Sequence, residues 1–183
     1  MFTVGRVRPM RRTLLAAALA LLGACGDQRP TEPVTPAAPD SPDRLLGFSG
    51  PKLVECPTDE TLTKSATIGP LGGVLSLGAT SITVPIGALL GETELKLTIP
   101  ASRYVEIDVT ANGLQHFVFE EPVVVSIDYW RCNRSDVLFK PLTAWYIDSD
   151  TKDLLERMPS FDNKLTRQVT FTTLHLSGYA IAF

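Results

Sequence analysis

The sequence predicts an all-β protein, an antiparallel β-sandwich over residues 53–183 behind a signal peptide and a proline-rich tether. Three observations predict it. Short β-type runs recur, with turn residues about every 8–12 positions. Two runs, Glu94–Ile99 and Val105–Val109, alternate strictly between polar and apolar residues. No window of about 11 or more residues holds an apolar stripe of helical period. With 183 residues, 44% hydrophobic, the chain suffices for one domain with its own core and not for two full ones.

Residues 1–24 read as a signal peptide. Arg6, Arg8, Arg11 and Arg12 form a basic start with no acidic residue before Asp27, and Leu14–Leu22 is an unbroken run of Leu and Ala. A bilayer span needs roughly 20 apolar residues, so this shorter run fits the apolar region of a secretory signal. Leu22-Gly23-Ala24-Cys25 resembles the bacterial lipobox, small residues leading to a cysteine. In proteins with that motif the cysteine thiol is diacylated and the chain is cut just before it. The resemblance therefore implies a lipoprotein carrying palmitate-type chains on Cys25, anchored in membrane lipid of the bacterial cell envelope, periplasmic or surface-exposed. The alternative is an ordinary signal peptide with an incidental cysteine.

Loss of residues 1–24 removes four of 17 basic residues and none of the 20 acidic ones, leaving 13 − 20 = −7. Net charge gives such a body no attraction to nucleic acid or to an anionic membrane, so the expected membrane contact is the covalent lipid.

Residues 25–52, the lipidated cysteine and a linker, turn to Gly, Asp, Gln, Thr, Glu, Ala and Pro. Pro30, Pro33, Pro36, Pro39 and Pro42 stand at every third position. Polyproline II has three residues per turn, so they share one edge of an extended helix reaching on the order of 40 Å. A spacer is expected; a ligand for a proline-reading domain uses the same spacing.

In the body, Thr61–Ile68, Gly73–Leu77 and Ser81–Val84 are brief β-type runs separated by Gly-Pro, Gly-Gly and Gly-Ala. After the two alternating runs come Val123–Tyr129, Thr143–Ile147, Gln168–Thr173 and Gly178–Phe183. Leu154–Met158 is the one helix-like stretch, too short to stand alone. Nine or ten strands are expected. Cys56 and Cys132 are expected to pair, because two thiols in one small domain of an oxidising compartment usually do; two separate buried thiols are the alternative.

Residues 72–99 contain Gly-Gly-Val-Leu-Ser-Leu, Ile-Thr-Val-Pro-Ile-Gly-Ala-Leu and Glu-Leu-Lys-Leu-Thr-Ile. Near the end stand Val169-Thr170-Phe171 and Thr173-Leu174-His175-Leu176-Ser177-Gly178-Tyr179-Ala180. Together these resemble the ZU5 domain in its Gly-Gly strand, its turn and its closing His-Phe-Ser strand. The resemblance implies a β-sandwich interaction module. Proline fixes φ and glycine admits positive φ, so Pro85-Ile86-Gly87-Ala88 suits a tight strand exit.

His175-Leu176-Ser177 carries the one candidate chemistry. Some ZU5-containing proteins cut themselves at His-Phe-Ser, the serine hydroxyl attacking the preceding carbonyl while the histidine takes its proton. Leu176 departs from that phenylalanine, and the chemistry needs a strained peptide and a base within hydrogen-bond reach. An uncut strand is expected. Asp148-Ser149-Asp150-Thr151-Lys152-Asp153 fails the EF-hand spacing, since Asp153 stands where glycine is required, and reads as a solvated turn. Glu120 and Glu121 are adjacent on a strand and diverge. His116 has no second ligand nearby. Asn133-Arg134-Ser135 matches a glycosylation sequon for which a bacterial lipoprotein has no use. Trp130, Trp145, Tyr129 and Tyr146 are expected to fill the core in preference to forming a sugar platform. Two histidines and three cysteines are too few for a zinc cluster, and no cofactor is expected. The expected function is a non-enzymatic binding module for an envelope protein or glycan. The alternatives are an autoproteolytic module cutting at His175-Leu176-Ser177 and a carbohydrate-binding sandwich.

Overall fold

The computed structural model describes residues 50–183. The signal peptide, Cys25 and the proline-spaced run lie outside the described residues. Thirteen strands and one short helix follow in order: β1 (Glu55–Thr58), β2 (Leu62–Ile68), β3 (Gly73–Leu77), β4 (Thr80–Val84), β5 (Thr93–Ile99), β6 (Ser102–Tyr104), β7 (Glu106–Ala111), β8 (Phe117–Asp128), α1 (Ser135–Phe139), β9 (Thr143–Ile147), β10 (Leu154–Arg157), β11 (Ser160–Asn163), β12 (Gln168–Leu176) and β13 (Gly178–Ala182). A six-stranded sheet, β10-β9-β13-β7-β5-β2, faces a five-stranded one, β11-β12-β8-β4-β3, and β1 pairs with β6. Every strand pair is antiparallel. The sandwich is the fold that the alternation predicts.

Alternation decides which face is buried. In β5 Leu95 and Leu97 are fully buried while Glu94 and Lys96 face solvent. Fully burying such a side chain contributes about 1.5–3 kcal/mol. Leu95, Leu97, Ile107, Val109 and Ile181 of one sheet meet Leu75, Ile82, Val125, Ile127 and Val169 of the other in a single core.

Several expectations change. Leu154–Met158 is not helical: Leu154–Arg157 is an edge strand paired with β9, four residues being too few to show a period. The β8 strand begins at Phe117, six residues before the apolar run read as its start. Thr173 lies opposite Val123 but His175 lies opposite Val118, so the residues from Phe119 to Pro122 bulge out of the ladder. That bulge accommodates Pro122, which has no N–H to give a central strand. Strands β1, β6 and β11 were not expected; each has three or four residues.

The chain enters the sandwich beside its last strand. Lys52 N donates to the Phe183 carbonyl at 3.0 Å, and Phe183 N returns the bond at 3.1 Å. Lys52, the end of the stretch read as linker, is thus part of the hydrogen-bonded body. Cys56 and Cys132 are bonded, their Cα atoms 5.4 Å apart. Arg131 braces the same region, donating from Nε to the Cys56 carbonyl and from its terminal nitrogen to the Tyr104 carbonyl.

Candidate functional site

His175-Leu176-Ser177 lies where the chain leaves β12 of one sheet and starts β13 of the other, with Ser177 the single residue between them. Leu176 is fully buried and Ser177 nearly so. The Ser177 carbonyl accepts from Val109 N at 3.1 Å. The His175 ring faces Tyr179, whose hydroxyl is 3.4 Å from Nδ1, and packs edge-on against Tyr146. The same hydroxyl donates to the His175 carbonyl and contacts Thr173 Oγ1 at 3.2 Å. Thr173 Oγ1 also donates to that carbonyl at 3.0 Å. Burial pushes the Tyr179 hydroxyl up to about 12. The group that self-cleavage would use as its base is therefore engaged by an aromatic hydroxyl.

The Asp148–Asp153 segment is the turn between β9 and β10. Asp148 Oδ1 accepts from the amides of Asp150 and Thr151, and those bonds hold its carboxyl below the ordinary range. The turn folds onto the outer face of the six-stranded sheet. Ser149 donates to Asp108 at 2.5 Å, and Lys152 Nζ pairs with Glu106 at 2.7 Å. Glu106 is only 2% exposed, and its Oε1 has no partner. A Cβ at Gly178 would strike Ser149 Oγ, so glycine is required for this close approach. Among the described residues no three His, Cys, Asp or Glu side chains are placed to hold a metal ion.

The aromatic expectation needs correction. Tyr129 is fully buried, donating to Asp162 at 2.8 Å, and Tyr146 packs against the core. Trp145 is half-buried and Trp130 is 61% exposed. Trp130 follows Val124, Ser126 and Asp128 on the outward side of the β8 alternation, while Val123, Val125, Ile127 and Tyr129 face the core; Arg167 lies over its ring, 4.4 Å from the centroid. His116, Glu120, Glu121 and Asn133 are exposed.

The sequence reading missed a cluster of apolar loop tips. Leu71, Ile86, Leu90, Leu114 and Val118 are 60–85% exposed. Backbone bonds pin their loops together: Gly87 N to the Pro70 carbonyl at 2.9 Å, Glu120 N to the Ala88 carbonyl at 3.1 Å, and Asn112 N to the Glu94 carbonyl at 2.8 Å. Gly87 has φ +84°, which the turn residues anticipate. Leu90 and Val118 line one cleft of ≈ 260 Å³. The registers place this cluster at the far end from Lys52: β13 runs from Ala182, beside Leu53, to Gly178, opposite Asp108, and the chain continues beyond Asp108 through the end of β7 at Ala111 to the turn that bears Leu114. Glu120 lines the same cleft, and Glu92, Glu94 and Glu121 are exposed on the adjoining stretches of chain. The signal was available in the sequence, as large aliphatic residues inside Gly/Pro turns: Pro70-Leu71-Gly72 and Leu89-Leu90-Gly91.

No protein-family model matches the chain, and no curated protein matches it in sequence.

Proposed function

We propose that the chain is a lipid-anchored protein of the bacterial cell envelope, acylated at Cys25, whose ZU5-like sandwich binds an envelope protein without catalysing a reaction. The observation that supports binding is the far-end cluster of Leu71, Ile86, Leu90, Leu114 and Val118. Scattered exposed leucines are ordinary, but five on loops pinned to one another form a preformed apolar patch. Aliphatic tips offer no stacking platform for a sugar ring, which favours a protein ligand. The acidic rim favours a partner with basic residues around an apolar centre.

The test captures partners from the native envelope with the wild type and with Ile86→Ser/Leu90→Ser. Both substituted side chains are exposed, so the variant should keep its melting temperature. A partner held by the wild type and lost by the variant is expected; equal recovery would sink the reading. The anchor is tested separately: Cys25→Ala should free the protein from a salt-washed membrane fraction. The position of Ser177 at a sheet-to-sheet crossing favours the second reading, an autoproteolytic module.

A further inference from the structure

The acidic net charge conceals a segregation. Around the point where the chain enters the sandwich stand Lys52, Arg131, Arg134, Lys140, Lys164 and Arg167, against Glu55, Asp128, Asp136 and Asp162: six basic and four acidic residues, net +2. The other residues from 50 to 183 hold five basic and twelve acidic ones, net −7. Asp162 accepts from Tyr129, from Leu142 N and from Lys164, and Asp128 accepts from Trp130 N.

Three large apolar side chains project from the same face: Trp130, 61% exposed, Phe139, 86%, and Leu165, 90%. Contacts show that this is one surface. Lys164 Nζ donates to the carbonyls of Val137 and Lys140, tying α1 to the β11–β12 turn that bears Leu165. Arg167, at the other end of that turn, donates to the Trp130 carbonyl and covers its ring. Lys140 Nζ lies 3.8 Å from the centroid of the Phe183 ring, and Phe183 is the residue paired with Lys52.

We propose that this face docks on an anionic phospholipid bilayer, with Trp130, Phe139 and Leu165 entering the interface and the lysines and arginines meeting the headgroups. The chemistry is that of peripheral membrane surfaces: apolar and indole groups at headgroup level within a basic surround. The chain's geometry favours this occupant over others. The proposal rests on the acylation of Cys25, and Lys52 is the position at which the segment from that cysteine joins the sandwich. Fully extended, the residues from Cys25 to Lys52 reach at most about 90 Å, so the face is confined near the bilayer at an effective concentration on the order of millimolar. Weak affinity then suffices. Docking here leaves the far-end loops pointing away from the membrane, available to a partner.

The test uses the full lipidated protein carrying Trp145→Phe, which leaves Trp130 as the single tryptophan of the two in the sequence. It is reconstituted into vesicles of phosphatidylcholine and phosphatidylglycerol, with and without brominated acyl chains. Bromine should quench Trp130, and its emission should shift to the blue. High salt, pure phosphatidylcholine, or Lys140→Glu with Arg167→Glu should abolish both effects. Removing two such charges weakens docking about 25-fold, fivefold each, and reversal weakens it further. Equal Trp130 emission in plain and brominated vesicles, with the protein still floating with them, would overturn docking and leave the anchor standing. Release from the vesicles at high salt would instead overturn the anchor, and the low-salt quenching would still decide the docking.

Discussion

The Tyr179 hydroxyl donates to the carbonyl of His175 and lies 3.4 Å from Nδ1 of the same residue. One side chain thus ties down both the backbone and the ring of the histidine on which self-cleavage would depend. Denaturing mass spectrometry of the mature wild type is expected to give one intact mass. Ser177→Ala should cost no more than about 1 kcal/mol, the net worth of a hydroxyl's hydrogen bond. Two masses that become one in Ser177→Ala would establish the autoproteolytic reading in place of the uncut strand.

The Cys56–Cys132 bond joins β1 to the segment after β8 across 76 positions. Closing a loop of that size restricts the unfolded chain by about 4.5 kcal/mol on the entropy model. Thiol titration of the denatured, unreduced protein without Cys25 should find no free thiol. The double variant Cys56→Ala/Cys132→Ala should melt roughly 10–20 °C lower.

Tyr179 gives the fold a base-sensitive element. Its hydroxyl titrates near 10 when exposed and is pushed up to about 12 by burial. The folded protein therefore holds this proton more tightly than the unfolded chain. That contribution, about 2–3 kcal/mol, is fully present below pH 10 and is lost as pH rises through 12. Burial and the bond to Asp162 push Tyr129 up as well, in the same sense. Urea midpoints should fall between pH 9 and 11.5 by alkaline titration, less steeply in Tyr179→Phe. An unchanged slope in that variant would remove Tyr179 from the account.

Gly178 is expected to tolerate no side chain while Ser149 keeps its hydroxyl. A Cβ there would meet Ser149 Oγ, Asp108 Oδ1 at 3.0 Å and Ile147 Cγ1 at 3.3 Å. Gly178→Ala should destabilise by about 1–3 kcal/mol through overpacking. In Ser149→Ala/Gly178→Ala the two costs should sum to more than the double variant's loss, because the colliding oxygen is gone. Simple additivity in urea unfolding would contradict this contact.

The sandwich was legible because a strand with one wet face repeats every second residue. Glu94–Ile99 and Val105–Val109 declare themselves in that way. Short edge strands carry no such signature, which is why Leu154–Arg157 read as helical and why Ser102–Tyr104 went unseen. The turn at Pro85-Ile86-Gly87 was legible from its residue types, whereas the use of Ile86 and Leu90 was not, since turn chemistry says nothing about what a loop tip faces. Net charge sums over the whole chain and so hid the gathering of Lys140, Lys164 and Arg167 beside Trp130. Only the pairing of Lys52 with Phe183 brings that group to the place where the chain enters.

Lys152 and Glu106 offer the sharpest test of the packing. Glu106 belongs to the outer face of the six-stranded sheet, yet the β9–β10 turn covers it and leaves Lys152, at 2.7 Å, as the one cation within ion-pair distance among the described residues. The pair holds the turn down together with the Ser149–Asp108 bond, and Lys152 accepts φ +65° to reach it. Removing the cation alone leaves a buried carboxylate with one oxygen already unpartnered. Lys152→Ala should therefore cost about 3–5 kcal/mol, more than its partial exposure suggests. Glu106→Leu/Lys152→Met replaces both charges by apolar groups of similar bulk and should recover most of that loss, because neither desolvation cost remains. Urea unfolding of the wild type, the single variant and the double variant decides the matter. If Lys152→Ala unfolds within about 1 kcal/mol of the wild type, the value typical of an exposed pair, Glu106 reaches water and the turn does not seal it.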